Sequence, residues 1–461
     1  MRGGARPCGG AGRGGAVGLR SSGERGRGAA ARAAPVPAGL PGGGRRGLLD
    51  FQPKLGPREC SQVVAAAATA AAVAAAVAAS PGPPLVAALA AGGLVRELSM
   101  ERLHAERYVS PAELALPGSG FGAFGGLQRL HYRVQRAGSV GPGEAAWACH
   151  FFHGFGASLF SWLNVLQLVA EGCRGVCSAH DAPGFGLTER PVALESFSPA
   201  ASARAGVAVL EAAVAEEIEA GGEKRQPPPR RALVAHSLGA LSAMVSATSQ
   251  PLGHFDAIVL VAPAVFAPRP FPDLGLDLWK HLPRQLVYFS RAALRTLAAA
   301  VFVAVKAVVL CPPVKLVLLV SLRKLVRTRG FWAVALRACY HDSRRVTQKV
   351  VDGYRAAKET TGWDVGLLKF SLAMFKSTLC GPTPSETFQG LVRLTEAQSL
   401  PVLILHGARD RIVPPENSTR LAEAIPGCTL SVWPDTGHLP HEEYPEKFAA
   451  EVSQFLCRVQ P

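Results

Sequence analysis

The chain predicts an α/β fold: a mostly parallel, doubly wound sheet with a helical cap inserted after the strand ending near Ala262. Three observations predict it. Short apolar runs such as Ala148 to Phe152, Asp256 to Ala262 and Pro401 to Gly407 alternate with helical stretches, as in a parallel sheet covered on both faces. The run Ala232-Leu233-Val234 passes into Ala235-His236-Ser237-Leu238-Gly239 and a further apolar segment, which reads as strand, sharp turn and helix with a serine at the apex. From Ala264 to about Leu400 the alternation stops and the residues read as apolar and basic helix.

The elements follow in order. Residues about 127–135 alternate in polarity through Leu130-His131-Tyr132-Arg133-Val134 and read as an early strand. The strand ending at Phe152 runs into the glycine-bearing loop His153-Gly154-Phe155-Gly156 and a helix from Ser158 to Ala170. The strand ending at Asp181 leads through Ala182-Pro183-Gly184-Phe185-Gly186 to a helix from about Pro199 to Ala220. Gly221 to Arg231 contains Pro227-Pro228-Pro229 and reads as a surface insertion. At the serine turn, small residues two positions to either side let strand and helix approach each other. Gly239 meets that need; Ala235 stands where glycine is usual. After the cap, Val402 to Gly407 leads to Asp410, and Leu430 to Asp435 leads to Thr436-Gly437-His438.

These motifs, in the order Ser, Asp, His, resemble the α/β-hydrolase superfamily over about residues 125–457. The similar branch is the capped one that includes serine esterases, lipases, carbon–carbon hydrolases and epoxide hydrolases, and the resemblance extends to plant and algal organellar members. Ester cleavage at neutral pH needs a nucleophile, a base for its proton, and donors for the developing oxyanion. Ser237 is the expected nucleophile, His438 the general base, and Asp410 the acid that orients it. The expected oxyanion donors are the backbone N–H groups of Phe155 and Leu238, with His153, Gly154, Gly156 and Gly239 in support. Epoxide hydrolases and haloalkane dehalogenases carry aspartate where this chain has Ser237, which disfavours those activities.

Other residues compete for these roles. His441 reads as a solvated or capping residue of the last helix, and His236 as a strand residue pointing away from the hydroxyl. Asp435 and Asp181 are alternative acids, Asp181 more naturally a turn former, and Arg190 reads as tying its loop to the fold. The expected activity is a serine hydrolase cleaving a lipid or other hydrophobic carboxylic ester through an acyl-serine. An acyltransferase on the same triad and a catalytically silent binding protein are the alternatives. No phosphate-binding loop with lysine and no Cys/His metal spacing occurs, and neither cofactor nor metal is expected.

The charge is uneven. The 461 residues carry a net +15, yet residues 1–60 hold eleven Lys+Arg against three acids, and residues 269–349 fifteen against three. Neither segment interleaves aromatics with its cations, so nucleic acid is not an expected partner. The ten cysteines are scattered and read as reduced thiols.

Residues 1–60 are rich in Gly, Ala and Arg and poor in acids, the composition of a disordered organellar transit peptide. The expected destination is the chloroplast, with the mitochondrion as alternative. Residues 61–124 form an Ala-rich apolar segment and linker, in which Val63 to Ala79 contains only Ala, Val and one Thr. The hydrolase core is expected over 125–264 and 400–461, with the cap over 265–399. Leu297 to Val326 is strongly apolar but broken by Lys306, Pro312-Pro313 and Lys315. It reads either as buried cap helices or as a shallow membrane contact with Arg323 and Lys324 at head-group level.

Overall fold

The structure, a computed structural model, describes residues 114–115, 118–141, 144–221, 227–265, 300–380 and 384–459. The expected transit peptide, the run Val63 to Ala79 and residues 266–299 of the expected cap lie outside the described residues.

Among the described residues, eight strands form one sheet: β1 (Ser119–Phe124), β2 (Leu127–Arg136), β3 (Trp147–Phe152), β4 (Gly175–His180), β5 (Arg230–His236), β6 (Ala257–Val261), β7 (Val402–Gly407) and β8 (Thr429–Trp433), in the order β1-β2-β4-β3-β5-β6-β7-β8. β1 and β2 run antiparallel; β4 through β8 are parallel neighbours. Every residue of β3, β4, β6 and β7 is buried, as helices on both faces require.

Side chains alternate between two cores with the strand period of two. Cys149, Phe151, Val234, Val259 and Leu405 enter one core, under helix α1 (Leu163–Cys173) and the helix Pro445–Arg458. Ala148, Phe152, Leu233, Ile258 and Ile404 enter the other, under α2 (Pro199–Gly221) and α3 (Gly239–Ser249). The sheet order reverses beside β3, so loops after β3, β5, β7 and β8 meet above the sheet, where a doubly wound fold places its ligand crevice.

Between β6 and β7 lie α4 (Pro312–Arg327), α5 (Arg329–Cys339), α6 (Gln348–Ala356), α7 (Trp363–Cys380) and α8 (Pro384–Gln398). Thr328 and Thr347 cap α5 and α6, each side chain accepting a backbone N–H three residues on. Trp332, Leu336, Tyr340, Tyr354 and Trp363 form the cap's own core, sealed from below by Ala157 and Leu439.

Two elements depart from the sequence reading. The linker expected up to residue 124 contains β1, joined to β2 by Gly125 and Gly126 with φ +59° and +87°, a two-residue hairpin with both central residues left-handed. Its own glycines hid the strand. Within the expected cap, α8 instead buries Phe388 and Leu391 in the core beside Met244 of α3. Amphipathic periodicity shows that a helix buries a face but not which surface receives it.

Candidate active site

Ser237 follows β5 with φ +50°, a left-handed conformation that costs a non-glycine residue about 1–2 kcal/mol. Flanking chain holds it there: its N–H donates to the Val261 carbonyl at 2.8 Å and its carbonyl accepts from Ala264 N at 3.1 Å. The turn needs glycine at 239, because a Cβ there would lie 2.6 Å from the carbonyl oxygens of both Phe152 and His153. Ala235 is fully buried in the sheet core, which accommodates the extra methyl.

The structure brings Ser237, His438 and Asp410 together. His438 Nε2 lies 3.0 Å from Ser237 Oγ, and His438 Nδ1 lies 2.7 Å from Asp410 Oδ2. Asp410 also accepts the backbone N–H groups of Ile412 and Val413 at Oδ1, and His406 Nε2 at Oδ2, at 3.0 Å. Burial opposes charge on Asp410, but the hydrogen bonds from His406 and His438 outweigh it and hold the carboxyl well below the usual carboxylate range. Asp410 is therefore an anion at neutral pH, which sets Nδ1 of His438 as the donor and leaves Nε2 facing Ser237 as the acceptor.

The loop after β3 reaches the same point. His153 Nε2 accepts from Ala182 N at 2.9 Å, so Nδ1–H donates to the Gly154 carbonyl at 2.8 Å. A trans peptide carries its N–H opposite its carbonyl, so anchoring Gly154 O also orients the Phe155 N–H. Gly154 is needed for closeness: a Cβ there would lie 3.0 Å from Ser237 Cβ and 2.9 Å from His236 Nδ1. Gly156, at φ +75°, turns the chain away. Leu238 precedes α3. Neither Phe155 N nor Leu238 N has a backbone acceptor among the described residues.

Two histidines differ from expectation. His441, expected to be solvated, is fully buried; its ring stacks 4.2 Å from Trp162 and its Nε2 bonds Ser161 Oγ at 2.9 Å. His236 does not simply point away: its Nε2 donates to the His438 carbonyl at 2.9 Å, and its ring lies 4.7 Å from that of His438. Burial, then the neighbouring His438 and His441, hold His236 neutral. Asp181 accepts from Leu159 N, Leu187 N and His131 within the core, and Arg190 donates to the carbonyls of Phe185, Gly186 and Thr188.

The sequence reading missed the frame around the base. Glu443 accepts from Gly437 N at 2.7 Å and His341 N at 2.9 Å, tying the His438 loop to the end of α5. Glu442 accepts Tyr340 Oη and Tyr354 Oη at 2.6 Å each, as well as the Ser161 hydroxyl. Their position just after His438 is the signal that sequence offers, but apart from Gly437 their partners lie 88 to 281 residues away.

Above Ser237 and His438 lies a cavity of about 760 Å³ whose described lining is mainly Leu, Val, Phe and Trp side chains of α4, α5 and α7 and the loop after β3. One group among the described residues could hold a metal: the Sγ atoms of Cys149, Cys173 and Cys177 lie within 4.8 Å of one another, buried in the core under α1 rather than at the triad.

The alpha/beta hydrolase family model matches residues 151–451, and the chain belongs to that family. A 65-residue stretch is 41% identical to 2-hydroxymuconate semialdehyde hydrolase of Pseudomonas putida, covering 14% of this chain and 23% of that protein. The hydrolase YugF of Bacillus subtilis is 23% identical over 316 residues, 68% of this chain and 91% of its own length. Among solved structures, a meta-cleavage product hydrolase from Pseudomonas fluorescens is similar at 17% identity and a TM-score of 0.46, over 74% of this chain and 99% of that one.

Proposed function

We propose that the protein is a serine hydrolase that cleaves a hydrophobic carboxylic ester through an acyl-Ser237 intermediate. The observation that carries this reading is the hydrogen-bonded series Asp410, His438, Ser237 opening onto a largely apolar cavity. His438 Nε2 takes the Ser237 proton as Oγ attacks the ester carbonyl. The Phe155 and Leu238 N–H groups receive the oxyanion, and His438 returns the proton to the departing alkoxide. A water activated by His438 then releases the acid and frees Ser237. The intact triad weighs against a silent binding protein, and serine rather than aspartate at 237 weighs against dehalogenation. An acceptor alcohol in place of water would give the acyltransferase.

The cap supports a lipid surface as partner. Among the described residues no single helix is long and apolar enough to cross a membrane; the pair Ala300–Leu310 and Val314–Arg327, bent by 70°, meets the length and composition criteria only jointly. Val301, Val303, Val308 and Leu310 are exposed on it, as are Lys306 and Lys324. Arg323, expected at head-group level, is instead buried and paired with Asp364. An exposed apolar face with flanking cations fits peripheral contact with an anionic bilayer.

The test is a fluorophosphonate probe with a series of p-nitrophenyl esters. Ser237 should be labelled, Ser237→Ala should abolish labelling and turnover, and kcat/KM should rise with acyl length. Labelling that persists in the alanine variant would falsify the assignment.

A further inference from the structure

The geometry points to Lys358 as the recognition site for a single carboxylate on the substrate, distinct from the scissile ester. This deepens the ester-hydrolase reading and rests on it for what is cleaved, though not for what binds.

Lys358 sits in the short turn Ala357–Glu359 between α6 and α7 and lines the cavity that Ser237 and His438 share. It is the one charged side chain other than a histidine among the described cavity-lining residues, and none of those residues is Asp or Glu. Its Nζ stands 5.7 Å from the centre of the Trp332 ring, a contact that orients a cation without neutralising it. Lys358 makes no hydrogen bond or ion pair with another described residue. The nearby Asp181 carboxylate is already occupied by His131, Leu159 N and Leu187 N.

Burial and the neighbouring Arg190 push the Lys358 ammonium down to about 8, with Asp181 opposing them, and His153 also feels its charge. A cation left unpaired in an apolar cavity carries a desolvation cost that an incoming anion would offset. One ammonium matches one monovalent carboxylate; a dianionic phosphate would leave net charge in the same apolar space. The substrate class is therefore an amphipathic ester with an apolar body and one carboxylate, the body against Trp332, Leu336 and Leu367 and the ester carbonyl at Ser237.

The test uses the full chain and two ligands that cannot be hydrolysed, dodecanoate and 1-dodecanol, with binding measured by calorimetry at pH 7. Wild type should bind dodecanoate about tenfold or more tighter than dodecanol, as a charge-assisted hydrogen bond implies. Lys358→Met should lose that preference while keeping its dodecanol affinity, which shows the cavity intact, and Lys358→Arg should retain much of it. The wild-type preference should fade as pH rises through about 8, where the ammonium loses its proton. Equal affinities in wild type, or a preference that survives in Lys358→Met, would overturn the inference. Because neither ligand reacts, failure of the hydrolase reading appears separately, as absent Ser237 labelling.

Discussion

The backbone N–H of His438 donates to the carbonyl of Cys339 at 2.6 Å, joining the loop after β8 to the last residue of cap helix α5. With Glu443 bridging Gly437 N and His341 N, the side chain that faces Ser237 is held by the cap as well as by the sheet. A disturbance at the end of α5 should therefore reach the triad without touching it.

Glu443→Ala tests that tie. It removes the acceptor of the Gly437, His341 and Asp342 N–H groups, each of which costs about 1–3 kcal/mol if left buried and unpaired. The expected outcome is a lower Tm and a lower kcat on a p-nitrophenyl ester. A variant with unchanged kcat would show that the cap does not position His438.

Asp410→Asn should lower kcat by about 10³–10⁴, because an amide donor facing Nδ1 stabilises the wrong tautomer of His438. His406→Gln should cost far less, since its bond to Asp410 is one of four that the carboxylate accepts. Asp410 is held below its unfolded pKa, so its stabilising contribution is present above the unfolded carboxylate range and lost as pH falls through the folded value. Thermal melts should accordingly show a shallower acid limb in Asp410→Asn than in wild type; equal limbs would contradict the assignment.

His441→Ala should separate stability from catalysis. The ring is fully buried against Trp162, and truncation leaves a cavity worth about 2–4 kcal/mol. Urea unfolding should record that loss, while kcat of the folded fraction stays within a few-fold. A dead but fully stable variant would make His441 part of the chemistry.

Glu442→Gln should change the pH dependence of stability. Burial raises the Glu442 carboxyl above its ordinary value despite the hydroxyls of Ser161, Tyr340 and Tyr354. A carboxyl raised on folding favours the native state while protonated and costs stability as pH climbs from the unfolded value, about 4.3, towards neutrality. Wild-type Tm should fall over that interval by more than that of Glu442→Gln; parallel curves would remove Glu442 as the cause.

Flotation with neutral and anionic liposomes addresses the cap surface. Salt-sensitive binding to anionic vesicles, weakened by Lys306→Glu with Lys324→Glu, is the expected result, since each basic residue near the surface contributes about 1 kcal/mol. No binding to either vesicle would assign the exposed valines another role.

The sequence by itself determined strands β2 to β8, the serine turn and the identities of Ser237, Asp410 and His438 as candidates. The reason is locality: period-two burial, a strand-turn-helix with Gly239, and glycine-bearing loops after strands are written in consecutive residues. It could not determine that His441 is buried, that Arg323 faces Asp364, that α8 belongs to the core, or that β1 exists. Each of these depends on a partner supplied by another element, which no local pattern encodes. The frame around His438 and the cavity position of the Lys358 ammonium are of the same kind. Cys339, Glu443, Trp332 and Lys358 acquire their roles only when α5 and α6 close over the sheet, because charge, burial and hydrogen-bond satisfaction are properties of the enclosed space.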